Sequence, residues 1–186
     1  MTLPFLPFQA KPGDIMGLRG SGWISDQICE LTRPSSPIIW EGVAIEWSHV
    51  GIVTAVAPFV QVTEALTKVR TRPIDVSIAE AEFAWIAQLG ALTDQQRAML
   101  ARKALSFSAD DYGYADIGLQ ALDSVTRSRW FTQHFAERRF PICSMLDALD
   151  YDSIGIRLGI SASSATPNDL ARYVTTHAGW AVQAVK

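Results

Sequence analysis

Short β-rich runs crowd the first half of this chain, whereas the later runs carry a helical spacing. In KPGDIMGL, Pro12 and Gly13 read as a turn feeding a short strand. SDQICEL reads as a short helix capped by Ser25, with Ile28 and Leu31 facing inward. TRPSSPIIWEG reads as a loop. Two β-rich runs follow, Ser48 to Ala55 and Phe59 to Leu66, split by VAP and expected to pair as a hairpin. Phe83 to Leu89 (FAWIAQL) is a further strand.

Helix signals come next. In LTDQQRAMLARKAL, Thr93 and Gln96 have the spacing of a capping box, in which each side chain satisfies a backbone donor of the other. The spacing puts Met99, Leu100 and Leu105 on one side of that helix, with Arg97, Arg102 and Lys103 largely on the other. TPNDLARY starts another helix, with Thr166 as cap, Pro167 at the first position and Asp169 in the first turn. GWAVQAV reads as a closing strand. Strands early and helices late predict an α+β fold, an antiparallel sheet packed against helices.

Composition narrows the classes. The chain has 186 residues, 48% hydrophobic and 19% charged, which suits a single globular domain over 1–186. A formal net charge of −3 gives no electrostatic case for nucleic acid or an anionic membrane surface. The two cysteines form no CxxC and have no Cys/His ligand spacing, so no metal or disulfide framework is expected. The start, MTLPFLPFQAKPGD, lacks a basic region and is broken by prolines, so it does not read as a signal peptide. No apolar run reaches the roughly 18 residues of a membrane span. A cytoplasmic protein with reduced thiols is the expectation, unless a signal-independent route delivers it elsewhere.

Candidate chemistry centres on EWSHVGIVTA. His49 lies on a strand among positions built for burial. A hairpin turning near Val56 and Ala57 puts it opposite Glu64, and a register shift of two keeps both on one sheet face, because side chains alternate. A carboxylate beside an imidazole fixes its tautomer and stabilises its protonated form; a plain cross-strand polar contact is the other reading. In RFPICSMLDALDYD, Pro141 leads to Cys143 at the head of a helical pattern. The free N–H groups and positive dipole end of a first turn favour thiolate and can hold an oxyanion. Against this, a cysteine on an apolar helix is most often a small core residue. Cys29 fits that description, in mid-helix beside Ile28.

GDIMG, WSHVGIV, VTEALTKVRTRPI, LTDQQRAMLARKALSFSADDYGYADI, ICSMLDALDY and ATPNDLARY occur in that order. The series resembles the circularly permuted branch of the NlpC-type papain-like cysteine peptidases, the YiiX/YebB-like family, from about Gly13 to Tyr173. In that branch the histidine precedes the cysteine. The resemblance implies a permuted papain-like fold, with His49 as base, Glu64 as orienting acid and Cys143 as nucleophile. It gives Tyr112, in DDYGY, a supporting or substrate-binding place beside the cleft. Two features depart from the family. Met145 stands where members often carry Glu, and a segment at about 118–139 reads as an amphipathic helical insert. That insert, holding Trp130, Phe131 and His134, reads either as a cap on the core or as a lid over the substrate. His177 has no evident partner in the sequence.

These readings predict a cysteine-dependent hydrolase that cleaves an amide bond through a thioester, with no metal or organic cofactor. The resemblance points to peptide substrates, including cell-wall stem peptides. Acyl transfer or thioesterase action on lipid acyl groups is the alternative, towards which the apolar insert and Met145 lean. A non-catalytic binding module is the reading from another class, and its mark would be a broken triad.

Overall fold

The computed structural model describes residues 9–33, 36–40, 42–65, 68–107, 143–159 and 161–186. Six of its strands form one sheet: β1 (Ile15–Gly20), β4 (His49–Ala55), β5 (Gln61–Ala65), β6 (Val69–Pro73), β7 (Ala81–Leu89) and β8 (Trp180–Ala184). Their order is β6-β5-β4-β1-β7-β8, and each neighbouring pair is antiparallel. Alternation sorts their side chains. Ile15, Val50, Ile52, Trp85 and Ala87 enter one core, while Met16, Leu18, Val62, Ala84 and Ile86 enter the other.

Helices α3 (Asp94–Ser106), α4 (Cys143–Asp152) and α5 (Pro167–Thr176) contribute to the first core. The short α2 (Ile74–Glu80) covers the second. The remaining helix, α1 (Trp23–Leu31), packs beside β1. The fold is therefore α+β, an antiparallel sheet packed against helices, as the succession of periods predicts. No helix among the described residues is long and apolar enough to cross a membrane.

The hairpin of β4 and β5, strand β7, the capping boxes at Thr93 and Thr166 and the closing strand all lie where the pattern puts them. Four local readings need correction. The segment taken for a loop contains a second hairpin, β2 (Ile38–Trp40) and β3 (Val43–Ile45), turning at Gly42 with φ 81°. Ser25 does not cap α1, which starts two residues earlier after Gly22; its hydroxyl donates instead to Ser48 Oγ at 2.7 Å. Strand β6 and helix α2 add elements where the pattern reads neither, and in VRTRP two arginines mask the strand.

The fourth correction is Arg97, expected on the polar side of α3 but 5% exposed. Its Nη1 donates to Asp14 Oδ1 at 2.8 Å and to the Pro12 carbonyl at 3.0 Å, and its Nη2 donates to the Leu89 carbonyl at 2.9 Å. Asp14 Oδ2 accepts from the Lys11 N–H and from Gln88 Nε2. Of the three apolar positions named for that helix, Leu100 is buried whereas Met99 and Leu105 stay exposed. A guanidinium with this many acceptors can occupy a core position that an unpaired charge could not.

Gly17 in β1 lies under the indole of Trp47, and an added Cβ would overlap the Trp47 Cε2, Cδ2 and Cζ2 atoms. Trp47 is fully buried against Trp85, with ring centroids 6.2 Å apart, so it has little room to yield. Gly17→Ala is expected to destabilise the protein by at least the ~1–3 kcal/mol of ordinary overpacking. Chemical denaturation with an unchanged slope checks this.

Candidate active site

His49 and Val50 open β4, and the last rung of the β4–β5 ladder pairs Gly51 with Glu64. His49 is thus diagonal to Glu64 and not directly opposite. The turn lies later than Val56 and Ala57, between Ala55 and Gln61, and the one-residue bulge between Val53 and Ala55 leaves the register two residues from that expectation. Parity preserves the shared face, and His49 Nε2 lies 2.8 Å from Glu64 Oε2. Gly51 separates them. A Cβ there would come within 2.9 Å of the Thr63 carbonyl and 3.0 Å of Glu64 Cβ, so the glycine of SHVGIV allows the two strands to meet.

Glu64 is fully buried and held on both oxygens. Its Oε1 accepts from Arg72 Nε and, at 3.0 Å, from Ser77 Oγ on α2. Arg72 also reaches Glu80 at 2.7 Å. Sequence reasoning missed Gly51, Arg72 and Ser77 as parts of this site. A signal for Arg72 was available, because pairing β6 with β5 puts it on the same face as Glu64, beside Val62.

Cys143 arrives from the other side of the sheet. It is the first residue of α4, which packs on β4 and β5, and it is 3% exposed within the first core. Its sulfur sits near enough to the His49 ring and to the backbone N–H groups of Val50 and Ser144 for all three to favour its thiolate. With Nε2 turned to Glu64, the His49 atom left for the sulfur is Nδ1. Ser144 fastens this helix start, donating from Oγ to the Ala165 carbonyl at 2.6 Å. Ser48 fastens the start of β4, accepting from Gly20 N–H and Ser25 Oγ.

The electrostatics follow from these contacts. Burial opposes charge on His49, yet the Cys143 sulfur and then Glu64 outweigh it and raise its pKa from 6.5 to about 10. Burial likewise opposes ionisation of Glu64, but His49 and Arg72 lower its pKa from 4.5 to about 2. Burial would raise the Cys143 thiol too, and His49 with the two N–H groups lowers it instead. The arrangement favours a thiolate–imidazolium pair backed by a carboxylate.

Linkage gives a sign to each shift. The depressed Glu64 contributes stability that is fully present above pH 4.5 and lost as pH falls towards 2. The elevated His49 contributes stability fully present below pH 6.5 and lost as pH rises through about 10. The melting-temperature gap between wild type and Glu64→Gln is therefore expected to be widest between pH 4.5 and 6.5, narrowing on either side.

Other expected residues fall as follows. Cys29 is buried in α1 with its thiol pKa raised by burial, despite the neighbouring Arg19. His177 ends α5, its ring 3.8 Å from that of Tyr173 and its Nδ1 3.0 Å from the Tyr173 carbonyl. Tyr112, His134 and the 118–139 insert lie outside the described residues.

These elements define an α+β architecture in which one end of an antiparallel sheet meets the head of a helix. Comparison with family models gives no match, and neither does comparison with curated proteins. Among solved structures, the metalloprotein YiiX from Escherichia coli O157:H7 (DUF1105) is similar. The TM-score is 0.66, over 95% of this chain and 97% of that one, at 15% sequence identity. The chain therefore has a YiiX-like fold.

Proposed function

We infer that this protein is a cysteine-dependent hydrolase of amide bonds in peptide-type substrates, related to the permuted NlpC-type peptidases, with Cys143, His49 and Glu64 as its triad. The observation that carries this reading is the 2.8 Å contact of His49 Nε2 with the buried Glu64 carboxylate, together with the mutual influence of that ring and the Cys143 sulfur at the head of α4. The thiolate attacks the carbonyl carbon, and the displaced electron pair settles on oxygen beside the N–H groups of the first turn of α4. As the tetrahedral intermediate collapses, the C–N bond breaks and the amine leaves with the proton from His49. His49 then takes a proton from water, whose oxygen attacks the thioester. The acid departs and the thiolate returns.

The similar YiiX structure is described as a metalloprotein. Among the described residues no three His, Cys, Asp or Glu side chains converge as metal ligands. Both oxygens of Glu64 are already held by His49, Arg72 and Ser77. The described donor set does not fit a metal, and the steps above use none.

At pH near 6, iodoacetamide is expected to label Cys143 stoichiometrically and leave Cys29 untouched, because a thiol with an ordinary pKa of about 8.5 is protonated there. Intact-mass analysis after incubation with peptide substrates should then find an acyl adduct on Cys143. A Cys143 that reacts no faster than free cysteine would sink the hydrolase reading.

A further inference from the structure

Helix α4 buries two further acids that the mechanism above does not use. Asp147, one turn after Cys143, and Asp150 are each fully buried, and among the described residues none of their four carboxyl oxygens has a hydrogen-bond partner. Positions four apart on a helix are neighbours, so Asp147 and Cys143 share one face of α4, near enough for their charges to act on each other. Buried polar groups are normally satisfied, and an orphan carboxyl behind a reactive thiol calls for an account. The charged and titratable groups acting on it are His49 from β4, Glu64 from β5, and Asp150 and Cys143 on its own helix. Tyr151 of α4 responds to its charge in turn. From α3, Lys103 bears on Asp150.

Resting on the hydrolase reading, we propose that Asp147 is a positioning residue that replaces the thiolate as counter-charge to His49 once Cys143 is acylated. The charge count leads there. In the resting site the thiolate balances His49, while Arg72 balances Glu64. A second anion on α4 would be unbalanced, so Asp147 keeps its proton; burial, Asp150 and Cys143 all raise its pKa. Acylation makes the sulfur neutral and sends the His49 proton out with the amine. The acyl-enzyme then holds neither thiolate nor imidazolium, and Asp147 still carries its proton. When His49 next takes a proton from water, no thiolate balances the imidazolium, and the Asp147 O–H bond breaks, releasing its proton to solvent and leaving a carboxylate as the counter-charge. After the acid leaves and the thiolate returns, Asp147 recovers a proton, and the cycle closes with atoms and charges balanced.

Alkylating Cys143 with iodoacetamide makes the sulfur neutral and mimics the acylated state. The infrared difference spectrum of the wild-type protein is expected to lose the carbonyl band of one protonated carboxyl on alkylation. Asp147→Asn should lack that change, and Asp150→Asn should keep it. In the alkylated protein, the His49 ring pKa followed by NMR should be at least about one unit lower in Asp147→Asn than in wild type. Asp147→Asn should also accumulate acyl-enzyme, slowing deacylation more than acylation. If Asp147→Asn fails to fold, the wild-type infrared measurement decides alone. A reactive Cys143 with no carboxyl change on alkylation, or an unmoved His49 pKa, overturns the shared counter-charge only. A Cys143 that alkylates like an ordinary thiol overturns this proposal and the hydrolase reading together.

Discussion

Cys143→Ala is expected to abolish turnover, by about a millionfold where the nucleophile acts as one unit with its base. The residual rate should match that of the His49→Ala variant, because neither residue can act without the other. A second signature follows from the electrostatics. The sulfur is the largest favourable influence on His49, so its removal should bring the His49 pKa down from about 10, with Glu64 alone still supporting it. Ring-proton NMR of the alanine variant reads this directly. Cys29→Ser should leave activity nearly intact, since Cys29 sits in α1 away from the imidazole. Wild-type turnover in Cys143→Ala would remove the nucleophile from consideration.

The second large effect is structural. Arg97→Met is expected to cost about 3–5 kcal/mol, the range for removing one partner of a buried ion pair. Asp14 would keep only the Lys11 N–H and Gln88 amide in a site with no exposure. For a chain of this size that is roughly 6–20 °C in melting temperature. Burial raises the Asp14 pKa even with Arg97 present, so the unpaired carboxyl would fold more readily when protonated. The deficit should shrink as pH falls to 4. Adding Asp14→Leu to Arg97→Met should recover much of the loss, because the penalty lies in the orphaned charge. Equal losses in the single and double variants would contradict this account.

Much of this architecture can be read along the chain because its signals are local. A capping box needs only two residues three apart, and those at Thr93 and Thr166 both form. The β4–β5 hairpin declares itself by alternation, whereas the bulge between Val53 and Ala55, which sets His49 and Glu64 on one face, leaves no mark in the pattern. Long-range facts were not legible in the same way. Arg97 looks solvated until Asp14, 83 positions away, supplies its partner. Ser25 looks like a cap until Ser48 offers a better hydrogen bond. Asp147 and Asp150 look like the wet side of a helix, yet both face inward, and helical spacing cannot say which stripe a sheet will cover.

His49 and Glu64 look towards the α2 side of the sheet, whereas Cys143 belongs to the core on the opposite side. Cys143 therefore reaches His49 only once α4 has docked on the sheet that carries the imidazole. A chain in which α4 has not docked is expected to carry just an ordinary thiol, protonated and slow. Electrophile uptake by Cys143 during refolding would thus act as a clock for that docking.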